Sequence, residues 1–238
     1  MSLLNASLTA QLSELLKKMV SKIEIISYVD NSETSQKVKS LLEEVSQQSD
    51  KISISEVNNN EISNVKRKPS FELRRKLDNP VNGESTVSVS FAGLPLGHEF
   101  SSLVLALLQV SGYAPKISDE QRDAILKLGS HNVTTYMSVI CLNCPEVVQS
   151  LNTISIINPK IQHTVVEGSA FREEVDKLGV MSVPAVFENG KLISSGRAGI
   201  DELVSVLAEQ EKSVEQNENG NNGNSCLLYT SPSPRDGL

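Results

Sequence analysis

The chain has 238 residues, enough for one or two domains with a buried core. Its formal net charge of −7 argues against a nucleic-acid footprint, which needs a clustered basic surface. No apolar run reaches the roughly 18 residues of a membrane helix, and three cysteines are too few for a disulfide scaffold. The opening residues MSLLNASLTAQLSELLKK carry no basic segment ahead of an apolar block, so no secretory signal is expected. Leu8, Leu12, Leu15, Leu16 and Met19 share one helical stripe there, which predicts a helix within residues 1–20.

Residues 23–29 (IEIISYV) read as a strand by their β-branched and aromatic content. Thr34 to Gln48 reads as a helix with Val38, Leu41, Leu42 and Val45 on one face, and residues 51–55 alternate as a strand. Residues 69–73 and 86–91 predict two short strands joined by a turn, and Phe100, Leu103, Val104, Leu107 and Leu108 predict an apolar helix ending near Gly112. A connecting segment, 113–132, follows, in which Ser118 to Gln121 has capping-box spacing.

The order then starts again. Residues 133–139 read as a strand, Pro145 to Ile157 as a helix, 161–166 as a strand and Ser169 to Leu178 as a helix. Residues 184–187 and 191–194 flank Asn189-Gly190, a strong hairpin dipeptide, and Ile200 to Leu207 closes the unit with a helix. Both halves therefore run β-α-β, then a proline-initiated hairpin, then a helix, with Lys68-Pro69 and Val183-Pro184 as the two openings. This predicts an α/β chain of two fused thioredoxin-like (glutaredoxin-like) folds, over 21–112 and 133–210. Residues 211–225, rich in Asn, Glu and Gly, are expected to be a flexible linker. Residues 226–238 (CLLYTSPSPRDGL) match neither linker nor domain and read as a non-native tail of translated adaptor.

The chemistry is expected at Cys141-Leu142-Asn143-Cys144, where a strand gives way to a helix. With no secretory signal a cytoplasmic location is expected, and a close cysteine pair there means redox chemistry or metal before a structural staple. The free N–H groups and positive dipole end of a helix N-terminus stabilise a thiolate. Cys141, the more accessible position, is thus the attacking group and Cys144 the resolving one. Val183-Pro184, about 40 residues on, is the place for a cis proline facing the pair, with its neighbouring backbone left to contact a substrate strand. The alternatives are that a lone C-x-x-C is half a zinc site and that Pro184 is an ordinary trans turn proline, the less favoured reading of that position. No second C-x-x-C exists, and His98, His131 and His163 lack ligand spacing, so no metal is expected.

Residues 135–207, with TYMSVICLNCPEVVQSLNTISIINPKIQHTVVEG and GVMSVPAVFENGK, resemble the N-terminal domain of the flavoprotein subunit of bacterial alkyl hydroperoxide reductase. RKPSFEL and FAGLPLGHEFSSLVLALLQ resemble the redox-silent half of that domain, so the similarity spans roughly residues 5–210. The resemblance implies an oxidoreductase of antioxidant defence and redox homeostasis, which passes electrons from a flavin-linked dithiol to a peroxiredoxin partner. It also implies that FAD and NADH belong to domains following this one and absent from the chain, and that this chain itself binds neither. A homodimer is compatible with the full-length protein, whose oligomeric state the resemblance leaves open. Through the Gly97-His98-Glu99-Phe100 match it assigns Glu99 as the acid/base group beside the cysteines, where plain reading gives only a helix-start carboxylate. Two departures stand out: Leu142 occupies a position usually held by histidine, and Glu33 to Gln36 stand where the silent half would carry cysteines. The rival readings are a stand-alone glutaredoxin-like disulfide reductase and a docking module with incidental cysteines.

Overall fold

The computed structural model describes residues 3–57 and 67–220. The first half opens with helix α1 (Ala6–Leu16), strand β1 (Ile23–Tyr28), helix α2 (Glu33–Ser46) and strand β2 (Ile52–Glu56). A hairpin of β3 (Ser70–Val81) and β4 (Glu84–Ala92) follows, then helix α3 (Phe100–Val110). Helix α4 (Asp119–Lys127) connects, closed at its start by the expected capping box between Ser118 and Gln121. The second half comprises β5 (His131–Met137), α5 (Cys144–Ile157), β6 (Ile161–Glu167), α6 (Arg172–Leu178), β7 (Ala185–Glu188), β8 (Lys191–Ser195) and α7 (Ile200–Gly220).

All eight strands lie in one sheet, in the order β2-β1-β3-β4-β6-β5-β7-β8. Each half contributes four strands in the same relative order, a parallel pair followed by an antiparallel hairpin. The thioredoxin-like α/β unit therefore occurs twice. The seam is the parallel pairing of β4 with β6, Ser90 opposite Thr164 and Ala92 opposite Val166. Helices α3 and α5 meet across that seam, where Thr153 donates to the Gln109 side chain at 3.2 Å and Gln149 to Ser102 at 3.2 Å. Burial on nearly every side of α3, from Leu103 to Val110, explains why its sequence is apolar all round rather than striped.

The core is aliphatic, as composition requires, with two aromatic contacts: Phe71 stacks on Phe91 and Tyr136 meets Phe187 edge to face. The first-half hairpin is longer than its apolar pattern predicts. Beyond Lys76 its side chains are largely exposed, so backbone pairing continues without an alternating signal. Its tip turns on Asn82 and Gly83, both with positive φ, and Asn82 donates to the Leu126 carbonyl and to Asn158 of the other half. The closing helix is also longer. α7 runs to Gly220, through most of the segment expected as linker, and Glu211 fixes it by accepting from the Gly129 N–H and pairing with His131 Nε2 at 2.8 Å. Residues 221–225 and the expected tail lie outside the described residues. Among those described, no helix is long and apolar enough to cross a membrane.

Candidate active site

β5 ends at Met137, and a tight turn, with the Cys141 N–H donating to the Ser138 carbonyl at 2.9 Å, delivers the chain to α5. Cys141 and Cys144 are joined by a disulfide. Cys144 is fully buried and belongs to a core cluster built mostly from the first half, alongside Leu103, Leu107 and Val148. Cys141 is half-buried at the surface of the same cluster. Asn143, the cap residue of α5, makes no side-chain capping bond, and Pro145 adds no N–H in the first turn. The Cys144 N–H donates instead to Cys141 Sγ at 3.1 Å, so the sulfur itself satisfies a helix-start donor.

The Val183-Pro184 peptide is cis, and Pro184 is buried at the start of β7. The Val183 carbonyl oxygen lies 3.7 Å from Cys141 Sγ. Three large apolar side chains frame this spot while facing water: Ile140 is 81% exposed, Leu142 77% and Met181 95%. No other large hydrophobic among the described residues is as exposed. Leu142 declared itself in the sequence as a departure from a familiar pattern; Ile140 and Met181 gave no signal, because nothing local marks an apolar residue as uncovered.

The first half repeats the framework without the sulfur. Lys68-Pro69 is also cis, and the Pro69 carbonyl accepts from the Gly93 N–H at 2.9 Å, as the Pro184 carbonyl accepts from Gly196. At the start of α2, where cysteines would stand, Ser32 caps the helix and Ser35 donates to Asp30 at 2.6 Å. Hydrogen bonds from Ser32 and Ser35 hold the Asp30 carboxyl down at about 2.

Glu99 closes a single 3-10 turn (Gly97–Glu99) that leads into α3 and packs against α5. The turn is pinned to the cysteine loop: the His98 N–H donates to the Val139 carbonyl at 3.0 Å, two residues before Cys141. Glu99 is 0% exposed, and neither carboxyl oxygen has a hydrogen-bond partner. Burial raises its pKa from 4.5 to about 7; Ser102 opposes the shift from nearby, without a bond of ordinary geometry to either oxygen. The structure thus brings Cys141, Cys144 and Val183 into direct contact and puts Glu99 in a turn attached to their loop.

Two polar clusters escaped sequence reading. His163, fully buried, stands between the Thr135 hydroxyl at 2.8 Å and Asn152 Oδ1 at 2.7 Å, and desolvation lowers its pKa to about 3. Arg67 pairs with Glu174, which also accepts from the Tyr136 hydroxyl at 2.5 Å, tying the start of the first hairpin to α6. Among the described residues no group of three or more His, Cys, Asp or Glu is arranged to hold a metal ion.

Comparison with known proteins fits this geometry. A thioredoxin domain family model matches residues 132–208. The F component of alkyl hydroperoxide reductase from Staphylococcus aureus is 45% identical over 206 residues, which cover 86% of this chain and 38% of that protein. The chain therefore spans well under half the length of that relative. The crystal structure of the NTD_N/C domain of the alkyl hydroperoxide reductase AhpF from Enterococcus faecalis superposes with a TM-score of 0.75 at 28% identity, covering 86% of this chain and 99% of that one. A protein disulfide oxidoreductase from Aeropyrum pernix shares the fold, with a TM-score of 0.74 at 21% identity, over 88% of this chain and 94% of that one. Fold, disulfide and relatives agree on a dithiol–disulfide redox module.

Proposed function

We propose that the chain is an N-terminal thioredoxin-like domain of the AhpF type of alkyl hydroperoxide reductase and that it hands electrons to a peroxiredoxin, a reading supported by its likeness to those proteins. The observation that carries this reading is the pair itself, with an accessible Cys141 bonded to a helix-start N–H and a buried Cys144 behind it. In the dithiol state, Cys141 as thiolate attacks one sulfur of the partner's disulfide. A Cys141–partner bond forms, the partner's S–S bond breaks and its leaving thiolate takes a proton. Cys144, its proton accepted by the Glu99 carboxylate, then attacks Cys141 Sγ. The Cys141–Cys144 bond re-forms, the partner's second sulfur leaves as thiolate, and Glu99 returns the proton. The partner gains two electrons from the pair and two protons, one from Cys144 by way of Glu99 and one from water, which replaces the proton Cys141 released on ionising.

A carboxyl with a pKa of about 7 is half-ionised near neutrality, so it can take and give that proton without a large energetic penalty in either direction. Val183 and Pro184 serve as the backbone shelf on which the partner's strand lies, and Ile140, Leu142 and Met181 contact the residues beside its cysteine. Electrons return to the pair from a flavin-linked dithiol. The groups at this site are two sulfurs, a carbonyl and one carboxyl, a set suited to disulfide exchange and not to holding FAD or NADH. In this reading those cofactors sit in the part of the family's length that the chain does not span, in a cytoplasmic, dimeric holoprotein.

Single-turnover mixing of the reduced chain with oxidised peroxiredoxin tests the reading. Stoichiometric formation of peroxiredoxin dithiol, abolished by Cys141→Ser, is the expected result. Reduction that persists in Cys141→Ser overturns the assignment, and efficient reduction of the chain by thioredoxin reductase favours a general disulfide reductase instead.

A further inference from the structure

Gly97 has φ +59, in the left-handed region that side chains beyond glycine rarely adopt. A Cβ built there overlaps the Val139 carbonyl oxygen and stands 3.2 Å from its carbon. That carbonyl is backbone and cannot swing aside, and it already accepts the His98 N–H at 3.0 Å. Glycine is therefore what lets the turn of the first half lie flat on the cysteine loop of the second. The next residue but one is Glu99, whose two carboxyl oxygens are fully buried without partners. An acid left unpaired in an apolar interior is costly, and only an enclosing structure keeps it there. The turn that carries Glu99 is held down at its start by the contact of Gly97-His98 with Val139. Exposure changes abruptly along the turn, from Gly97 and His98 in water to Glu99 at 0%.

We propose that Gly97 is a positioning residue for disulfide exchange: by seating the 97–99 turn on the Val139 carbonyl, it holds the Glu99 carboxyl in the dry space beside the cysteine loop. This deepens the proposed function and rests on Glu99 carrying a proton there. Any side chain at position 97 lifts the turn, admits water to the carboxyl and displaces it from the sulfurs. Displacements of about 1 Å at a proton-transfer group cost up to ~100-fold in rate.

The test is the rate at which the reduced full chain, with Cys226 replaced by Ala, reduces a cystine-containing peptide from pH 5 to 9. Gly97→Ala and Gly97→Asn are each compared with Glu99→Gln and with the corresponding double variants. Asn tolerates positive φ, so it keeps the clash while relieving the backbone strain and preserves a folded protein should Ala fail. The expected result is a loss of about tenfold or more at pH 7 in both Gly97 variants. The pH limb near neutrality disappears as it does in Glu99→Gln, and the further loss is less than twofold when Gly97 is changed in a chain already carrying Glu99→Gln. An unchanged profile in the Gly97 variants overturns the proposal. So does an equal loss in the presence of Glu99→Gln, which makes Gly97 act on the fold or the cysteine loop rather than through Glu99. A Glu99→Gln chain with the wild-type profile refutes the proton role of Glu99 itself, and the positioning role with it.

Discussion

The backbone N–H of Cys144 donates to Cys141 Sγ at 3.1 Å, at a helix start where the cap residue contributes no side-chain bond. When the pair is reduced, that donor and the helix dipole both favour negative charge on Cys141. Cys144, fully buried among apolar side chains, has no comparable support. The two thiols should therefore differ sharply in reactivity. Alkylation with iodoacetamide followed by peptide mapping is expected to modify Cys141 first, with a pH midpoint well below the free-thiol value of ~8.5. Leu142→His, which adds a cation at the next residue of the exposed loop, should move that alkylation midpoint down further, by on the order of half a unit to one unit.

The apolar collar predicts a preference among partners. Ile140, Leu142 and Met181 offer nothing to a charged neighbour of the partner's cysteine. If the proposed docking of a peroxiredoxin on this patch holds, Leu142→Asp and Met181→Asp should each raise KM for the oxidised peroxiredoxin severalfold while leaving kcat close to wild type, because they alter the proposed contact and not the sulfurs. Steady-state kinetics with the coupled reductase reads this directly.

Glu99 ties stability to pH. Its folded-state pKa, about 7, lies above the unfolded value of 4.5, so the folded state holds an extra proton between them. Its contribution is fully present below pH 4.5 and is lost as pH rises through about 7, at a slope of at most about 1.4 kcal/mol per pH unit. Urea denaturation of the oxidised chain should show this slope disappear in Glu99→Gln.

His163 acts with the opposite sign. Asn152 Oδ1 accepts from Nδ1 and the Thr135 hydroxyl donates to Nε2, so the folded state holds the neutral ring, with its pKa lowered from 6.5 to about 3. The unfolded chain takes up a proton below 6.5, and stability is lost as pH falls from there toward 3. Between about pH 5 and 6.5 the Glu99 and His163 slopes oppose each other. His163→Gln should lower stability overall through the broken network and leave a stability that falls with rising pH in this window, whereas Glu99→Gln leaves one that rises.

Much of this architecture was legible in the sequence because it depends on local signals. The order of elements, the doubled thioredoxin-like unit, the Asn189-Gly190 turn and the Ser118 capping box all announce themselves through periodicity or turn chemistry. The cysteine pair did so through spacing and its place before Pro145. Contacts between the halves were not legible. The seam of Ser90 with Thr164, the reach of Asn82 to Asn158 and the seating of Gly97 on Val139 join residues 42 to 76 positions apart, and none carries a local pattern. The same holds for α7, where Asn and Glu suggested a linker and the anchor is Glu211 on His131. Glu99 entered through resemblance alone, since only burial distinguishes it from an ordinary acid at a helix start.

The most direct test of the central claim is to trap the exchange intermediate. Oxidised peroxiredoxin is mixed with the reduced Cys144→Ser chain, in which Cys226 is also replaced, and the products are identified by mass spectrometry under non-reducing conditions. The account predicts one accumulating covalent adduct, joined through Cys141 to a peroxiredoxin cysteine and released by dithiothreitol. No adduct, with the peroxiredoxin disulfide left intact, would contradict it.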